Sequence, residues 1–354
     1  MPYLRVLSSV LLVLIGLLVW QTWAALRPFP SLLLPDDAAI RRTQVVDRRG
    51  LPLSYTFQNL WNVHDYIPLY EIPLLLQQAF IAAEDKRFYE HKGVDWLARL
   101  HALGQNLYAR RTVRGASTIT EQVVRMLHPR PRTLWSRWVE GFEAMRLEAR
   151  FPKAALLEFY LNQIPYARQR RGVVQAARLY FDRDVHTLSQ HEMLALAVMV
   201  RAPSRLDLLR SITRIHPPLM RLATRLYSTG LLTTAEYQQT LTHELHLSQS
   251  TLPVQTSHFL RYVRGLDLPA AQFQHGQVQT TLDAALQQRA QALLDGRLHD
   301  LRALGVTAGA LLVVDNHTSE VLAWVSAGGS QIDTVTTPRQ PGSTLKPLLY
   351  ALAL

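Results

Sequence analysis

Glu84 opens the run Glu84-Asp85-Lys86-Arg87-Phe88-Tyr89-Glu90-His91-Lys92-Gly93, the part of this 354-residue chain richest in groups able to move protons or hold anions. Ile72, Leu75, Leu76, Ala79, Phe80 and Ala83 precede it at helical spacing. Glu84 follows Phe80 by four residues and Leu76 by eight, so it falls on or beside the buried stripe of that helix. Partial loss of water there suits a carboxylate to work as a general base. Four further segments carry reactive side chains. Gly115-Ala116-Ser117-Thr118-Ile119-Thr120-Glu121-Gln122 has the small residues and hydroxyls of a helix N-terminus able to hold an anion. Arg137 and Glu140 stand three apart on one helix face. Tyr160-Leu161-Asn162 ends a helical run, and Arg201-Ala202-Pro203-Ser204 stops another. Near the end, Ser343 and Lys346 are three apart, a serine with a lysine able to take its proton.

The elements needed to position these groups are mostly helices. From Pro73 to about Ser204 the pattern is helical; Pro152 starts a helix that runs to Asn162 and is stopped by Pro165. Met193 to Val200 is apolar on all faces, as a buried helix is. Thr43 to Asp47 and Gln277 to Leu282 read as strands, and Ala284 to Leu301 as a helix. Ala310–Asp315 and Val321–Val325 form a strand pair around Asn316-His317-Thr318-Ser319. Pro28, Pro30 and Pro35 mark one linker and Thr251 to Gln255 another.

Composition narrows the classes. With 48% apolar residues the chain can bury sizeable cores, and the absence of cysteine rules out disulfides, thiolate metal sites and a thiol nucleophile. Val6 to Leu26 is uncharged and mostly apolar, about 30 Å of helix, with Trp20 and Trp23 near one end. It is long for a signal-peptide core, and Thr22-Trp23-Ala24 is a poor cleavage site, so an uncleaved anchor is expected. Arg5 on one side and Arg27, Arg41 and Arg42 on the other leave its orientation undecided by charge. The net charge of +11 comes without any nucleic-acid-binding signature, so anionic lipid or a phosphorylated substrate is the expected partner, and nucleic acid is not. Only Lys86, Lys92, Lys153 and Lys346 are lysines, which marks each of them in a chain that otherwise uses arginine.

In order and spacing, the five segments resemble the family 51 peptidoglycan glycosyltransferases, the polymerase domains of class A penicillin-binding proteins. The motif E-D-x-x-F-x-x-H-x-G is complete from Glu84 to Gly93, and G-x-S-T-x-x-Q-Q is met except for Glu121. Arg137 with Glu140, Lys153 through Asn162, and Ala202-Pro203-Ser204 match the rest. Arg339-Gln340-Pro341-Gly342-Ser343-Thr344-Leu345-Lys346-Pro347 resembles the nucleophile motif of a penicillin-binding transpeptidase. The later S-x-N and K-T-G motifs of that domain do not follow before Leu354, so no transpeptidase activity is expected of this chain.

The resemblance implies a mainly α fold. Its expected parts are a cytoplasmic tip and single N-terminal transmembrane helix (1–27), a linker (28–44) and a lysozyme-like α-helical glycosyltransferase domain (45–215). A helical linker (216–255) and an incomplete α/β transpeptidase domain (256–354) follow. It implies polymerisation of lipid II onto a growing glycan strand with loss of undecaprenyl diphosphate, on the periplasmic side of the inner membrane, beside membrane lipid and other cell-wall synthesis proteins. Glu84 would be the base; Asp85, Phe88, His91, Gly93, Gly115, Ser117, Thr118, Gln122, Arg125, Arg137 and Asn162 would bind substrate. Glu140 would orient Arg137, hold a divalent cation (Mg2+ or Mn2+) at the diphosphate, or assist the reacting sugar; no cofactor is firmly required. Ser343 and Lys346 would be the catalytic pair of the second domain. Glu121, Ala167 with the arginines after it, and Asp182 depart from the family pattern and put donor-site detail in question. The alternative is a weak or inactive truncated synthase that acts as a membrane scaffold.

Overall fold

The computed structural model describes residues 2–33, 43–53, 61–109, 117–242, 245–247, 256–266, 276–328 and 332–353. Two units are formed, one from residues 1–39 and 60–250, the other from 40–59 and 251–354. Gly115 and the expected linker residues 251–255 lie outside the described residues.

The first unit is helical. It contains α1 (Pro2–Ala25), α2 (Leu74–Glu84), α3 (Trp96–Ala109), α4 (Ile119–Leu127) and α5 (Leu134–Arg150). It continues with α6 (Lys153–Gln163), α7 (Gly172–Phe181), α8 (Gln190–Met199), α9 (His216–Ser228) and α10 (Thr234–Thr242). Its core gathers Leu76 and Phe80 of α2, Val123 and Val124 of α4, Leu147 of α5, Leu156 and Tyr160 of α6 and Met193 to Met199 of α8. α8 is buried on all faces, as its unbroken apolar run requires. The expected helical linker from 216 is no linker: Leu219, Leu222, Ala223 and Leu226 of α9 are buried in this same core. Their spacing makes a stripe that must be covered, and α2 and α8 cover it.

The expected membrane segment falls on α1, whose side chains are described from Ser9 onward. Among the described residues no helix is long and apolar enough to cross a membrane. Val10 to Val19 and Trp20 and Trp23 of α1 nevertheless present exposed apolar side chains.

The second unit is small and mixed. β1 (Gln44–Val46) pairs in parallel with β2 (Gln277–Gln279), Val45 opposite Val278. This places residue 44, expected in the linker, and residues 45 and 46, expected in the glycosyltransferase part, in the second unit. The pairing spans more than two hundred residues, so no local pattern announces it. β3 (Gly309–Val314) and β4 (Val321–Ala327) form the expected antiparallel pair. α11 (Ser257–Arg264) and α12 (Ala284–Leu301) pack on it, and α13 (Lys346–Ala353) follows.

Candidate active site

A cleft of about 1330 Å³ opens in the first unit at the C-terminal end of α2. Glu84, the last residue of α2, projects into it. Its Oε2 accepts a hydrogen bond from Gln122 Nε2 at 3.0 Å. Its Oε1 accepts one from Arg201 Nε at 2.9 Å. The Gln122 amide is oriented from behind, because its oxygen accepts from the buried Tyr160 hydroxyl at 3.4 Å. Burial, and then the charge of Glu84, push the Tyr160 hydroxyl well above its ordinary value, so it remains a donor. Arg201 also donates to the Ala83 carbonyl, and Arg225 of α9 to the Ala82 carbonyl at 2.5 Å. Two guanidinium groups thus meet the last-turn carbonyls of the helix that carries Glu84, where a helix end favours cations.

Asp85 holds the second wall in place. Its carboxylate accepts from the Ile119 backbone N–H at 2.9 Å, the first amide of α4, where a negative charge is favoured. It also faces His91 Nε2 at 3.0 Å. His91 Nδ1 lies 3.4 Å from Lys153 Nζ, so Nδ1 accepts and the ring proton sits on Nε2. Lys153 donates to Glu148 at 2.7 Å and lies 4.4 Å from the centre of the Phe88 ring. Gly93 has φ of 85°, and a Cβ there would come within 2.5 Å of the Ala144 backbone. Only glycine allows this loop to lie on α5 while its carbonyl accepts from the Thr118 hydroxyl at 2.6 Å.

Across the cleft, Arg125 donates to Glu140 from Nη2 at 3.0 Å and from Nε at 3.3 Å, and reaches Ser117 Oγ at 3.4 Å. Among the described residues, the lining carries seven cations (Lys86, Arg87, Arg125, Arg132, Arg171, Arg201, Arg225) against three carboxylates (Glu84, Asp85, Asp95). That excess suits a ligand with several negative charges. A carboxylate beside such a lining can take a proton from one end of a bound ligand while the cations neutralise charge at the other.

Residues 53–225 match the family model described as Transglycosylase. The chain carries a transglycosylase domain of the class A penicillin-binding protein kind. It is 29% identical to penicillin-binding protein 1C of Escherichia coli over 96% of this chain and 43% of that one. To penicillin-binding protein 1B of Vibrio cholerae it is 30% identical over 80% of this chain and 39% of that one. Penicillin-binding protein 1A of Escherichia coli is 36% identical over 51% of this chain and 21% of its own length. The chain thus spans less than half the length of these relatives.

In the transglycosylase domain the expected site residues separate into two sets. Glu84, Asp85, Ser117, Thr118, Gln122 and Arg125 line the cleft. Phe88, His91, Gly93 and Asn162 stand behind it. Phe88 and Asn162 are fully buried, and Asn162 ties α6 to the 62–67 segment through the Ile67 N–H at 2.9 Å and Ile67 carbonyl at 2.7 Å. These four build the frame rather than offer contacts to a ligand. Arg137 is exposed and does not line the cleft. Glu140 therefore orients Arg125, not Arg137: three-residue spacing brings two side chains near one face, but Glu140 turns inward to α4 while Arg137 faces outward. Among the described residues no three His, Cys, Asp or Glu side chains converge to hold a metal ion.

The departures from the family pattern have structural explanations. Glu121 is buried in a capping box with Thr118 and paired with Arg99, and it does not line the cleft. Burial pushes its carboxyl up, against the pull of Arg99 and the Thr118 N–H. Asp182 ends α7 in the left-handed region at φ of 50°, the place where glycine is easiest and Asp is tolerated. It does not line the cleft. Arg168 and Gln169 take φ of 56° and 60° in the loop after Ala167 and lead to Arg171. Arg171 lines the cleft, stacks over Trp61 at 5.7 Å and donates to the Gln163 carbonyl at 3.1 Å. No carboxylate partners it among the described residues, and burial lowers its pKa from the ordinary arginine value. Arg171, Arg201 and Arg225 were not among the expected site residues. Their number was visible as arginine excess, but which arginines face the cleft depends on the packing of α7, α8 and α9.

Ser343 and Lys346 belong to the second unit. Both are exposed, Ser343 in a short 3-10 turn and Lys346 at the start of α13. Neither side chain is hydrogen-bonded to the other.

Proposed function

We propose that the transglycosylase domain polymerises a lipid-linked disaccharide diphosphate, lipid II, into glycan strands and releases undecaprenyl diphosphate. The observation that carries this reading is Glu84, held by Gln122 and Arg201 at the edge of a cleft whose charged lining is mostly cationic. Glu84 takes the proton of the acceptor hydroxyl as that oxygen attacks the anomeric carbon of the donor. One displacement inverts that carbon. The diphosphate leaves with its bonding electron pair, and the developing charge is met by Arg125, held by Glu140, and by Arg171 and Arg201. A diphosphate needs no acid to depart, so a single carboxylate suffices where glycosidases use two. Ser117, Thr118 and Gln122 line the same cleft and contact the sugar or its phosphate.

The same reading takes α1 as a single-pass anchor in the cytoplasmic membrane, with the domain outside, where the lipid substrate is reached. The exposed apolar side chains from Val10 to Val19 and the two tryptophans near the helix end support it. It takes Ser343 and Lys346 as the first motif of a transpeptidase unit. The test is direct: the purified chain is incubated with lipid-linked disaccharide diphosphate and the products are sized. Glycan polymer is expected; no polymer from folded, detergent-solubilised wild type refutes the enzyme and leaves the scaffold reading.

A further inference from the structure

Glu143 lies three residues beyond Glu140 on α5 and is completely buried, yet the cleft chemistry does not use it. Its carboxylate accepts four hydrogen bonds. The Arg27 backbone N–H donates at 2.8 Å and His128 Nδ1 at 3.1 Å. Arg130 donates from Nη1 at 2.5 Å and from Nη2 at 2.7 Å. Arg130 and His128 go on to the stem that leaves α1. Arg130 Nη2 donates to the Ala25 carbonyl at 3.0 Å, and His128 Nε2 to the Pro28 carbonyl at 3.1 Å. Both His128 ring nitrogens thus face acceptor oxygens, the Glu143 carboxylate on one side and the Pro28 carbonyl on the other. Phe29 stacks on that ring at 4.9 Å, Arg150 donates to the Phe29 carbonyl at 3.3 Å, and Trp138 donates to Thr22 at 3.0 Å. The Ala25 carbonyl at the end of α1 is thus capped by the Arg130 guanidinium, as a helix C-terminus favours, and Glu143 ties that guanidinium down.

These residues sit on the elements that frame the cleft. His128 and Arg130 directly follow α4, which carries Gln122 and Arg125; Glu143 shares α5 with Glu140. We infer that Glu143 is a positioning residue that, through Arg130 and His128, fixes the exit of α1 on the transglycosylase domain and so sets the angle at which the cleft meets a lipid-borne substrate. The inference rests on the proposed function. In a bilayer the substrate headgroup is held at one depth, and a domain free to swing on its stem seldom presents the cleft correctly. In a micelle, substrate and enzyme reorient together and the angle matters little.

The experiment compares the full chain with E143Q, both with lipid-linked disaccharide diphosphate. One arm uses phosphatidylcholine–phosphatidylglycerol vesicles, the other detergent. E143Q is expected to cut turnover in vesicles roughly tenfold and to stay within about twofold in detergent, the tenfold step corresponding to about 1.4 kcal/mol. The Arg27 amide should exchange its hydrogen roughly tenfold faster, because its acceptor is weakened. E143D, which keeps the charge, should recover part of both effects. R130M removes the same link from the other side and should reproduce the split should E143Q not fold. Equal losses in vesicles and detergent, or unchanged exchange at Arg27, would overturn the inference. Wild type inactive in both media refutes the polymerase reading, and the clamp is then decided by the Arg27 exchange alone.

Discussion

Glu84 and Ser343 begin as equals: each heads a short motif with a plausible base or nucleophile. Their surroundings differ completely. Around Glu84, Gln122 and Arg201 hold the carboxylate, Tyr160 holds Gln122, and Asp85 pins the first amide of α4. Ser343 and Lys346 are exposed on a turn and a helix start, without a hydrogen bond between them. A motif supplies reactive atoms; a working centre also needs a buried second layer that holds those atoms still. The first unit has that layer behind Glu84.

The comparison can be broken most directly at Glu84. E84Q keeps the shape and the Gln122 contact but removes the base, so polymer formation should fall about 10²–10⁴-fold, measured as glycan chain yield. Unchanged yield would remove Glu84 from the mechanism. The second layer is tested by Gly93→Ala. The added Cβ meets the Ala144 backbone at a positive φ, and a loss of about 3 kcal/mol in unfolding free energy is expected by denaturant titration. A change near zero would show that the motif glycine does not constrain the loop.

Smaller effects sharpen the contrast further. R171Q should raise KM for the lipid diphosphate about tenfold with little change in kcat, and should weaken the salt dependence of binding. A pure kcat effect would remove Arg171 from ground-state binding. Burial alone would raise the Glu143 carboxyl, but hydrogen bonds from Arg130, His128 and the Arg27 N–H outweigh it and hold it at about 2, below the ordinary 4.5. A depressed value means stability present above the unfolded value and lost as pH falls through the folded one. Thermal unfolding of wild type should therefore lose stability between about pH 4.5 and about 2, and E143Q should lack that part of the slope. Parallel curves would deny Glu143 that contribution. The smallest expected effect is none: a fluorescent penicillin should not acylate Ser343. Labelling there, lost in S343A, would dissolve the contrast between the two motifs.

Much of the site was legible before any coordinates. The helix that ends at Glu84, the hydroxyl-rich helix start at Ser117 and Thr118, and the strand pair at 309–327 stand where the sequence puts them, because apolar period, capping chemistry and turn residues act over a few neighbours. Orienting Arg137 is one of three roles the sequence leaves open for Glu140; its partner in the structure is Arg125, supplied by α4 rather than by its own helix. The cleft arginines 171, 201 and 225 were invisible as a group because α7, α8 and α9 bring them together from positions far apart in the chain.

By itself, then, the sequence determined which residues can do chemistry and which helices carry them, because helix formation and capping are local. Only the tertiary structure decided that Phe88, His91, Gly93 and Asn162 are framework and that Glu140 serves Arg125. It also decided that residues 44–46 join the second unit and that Glu143 faces the stem of α1. Each of these depends on which side chains are buried against one another, and burial is a property of packed elements rather than of spacing along the chain.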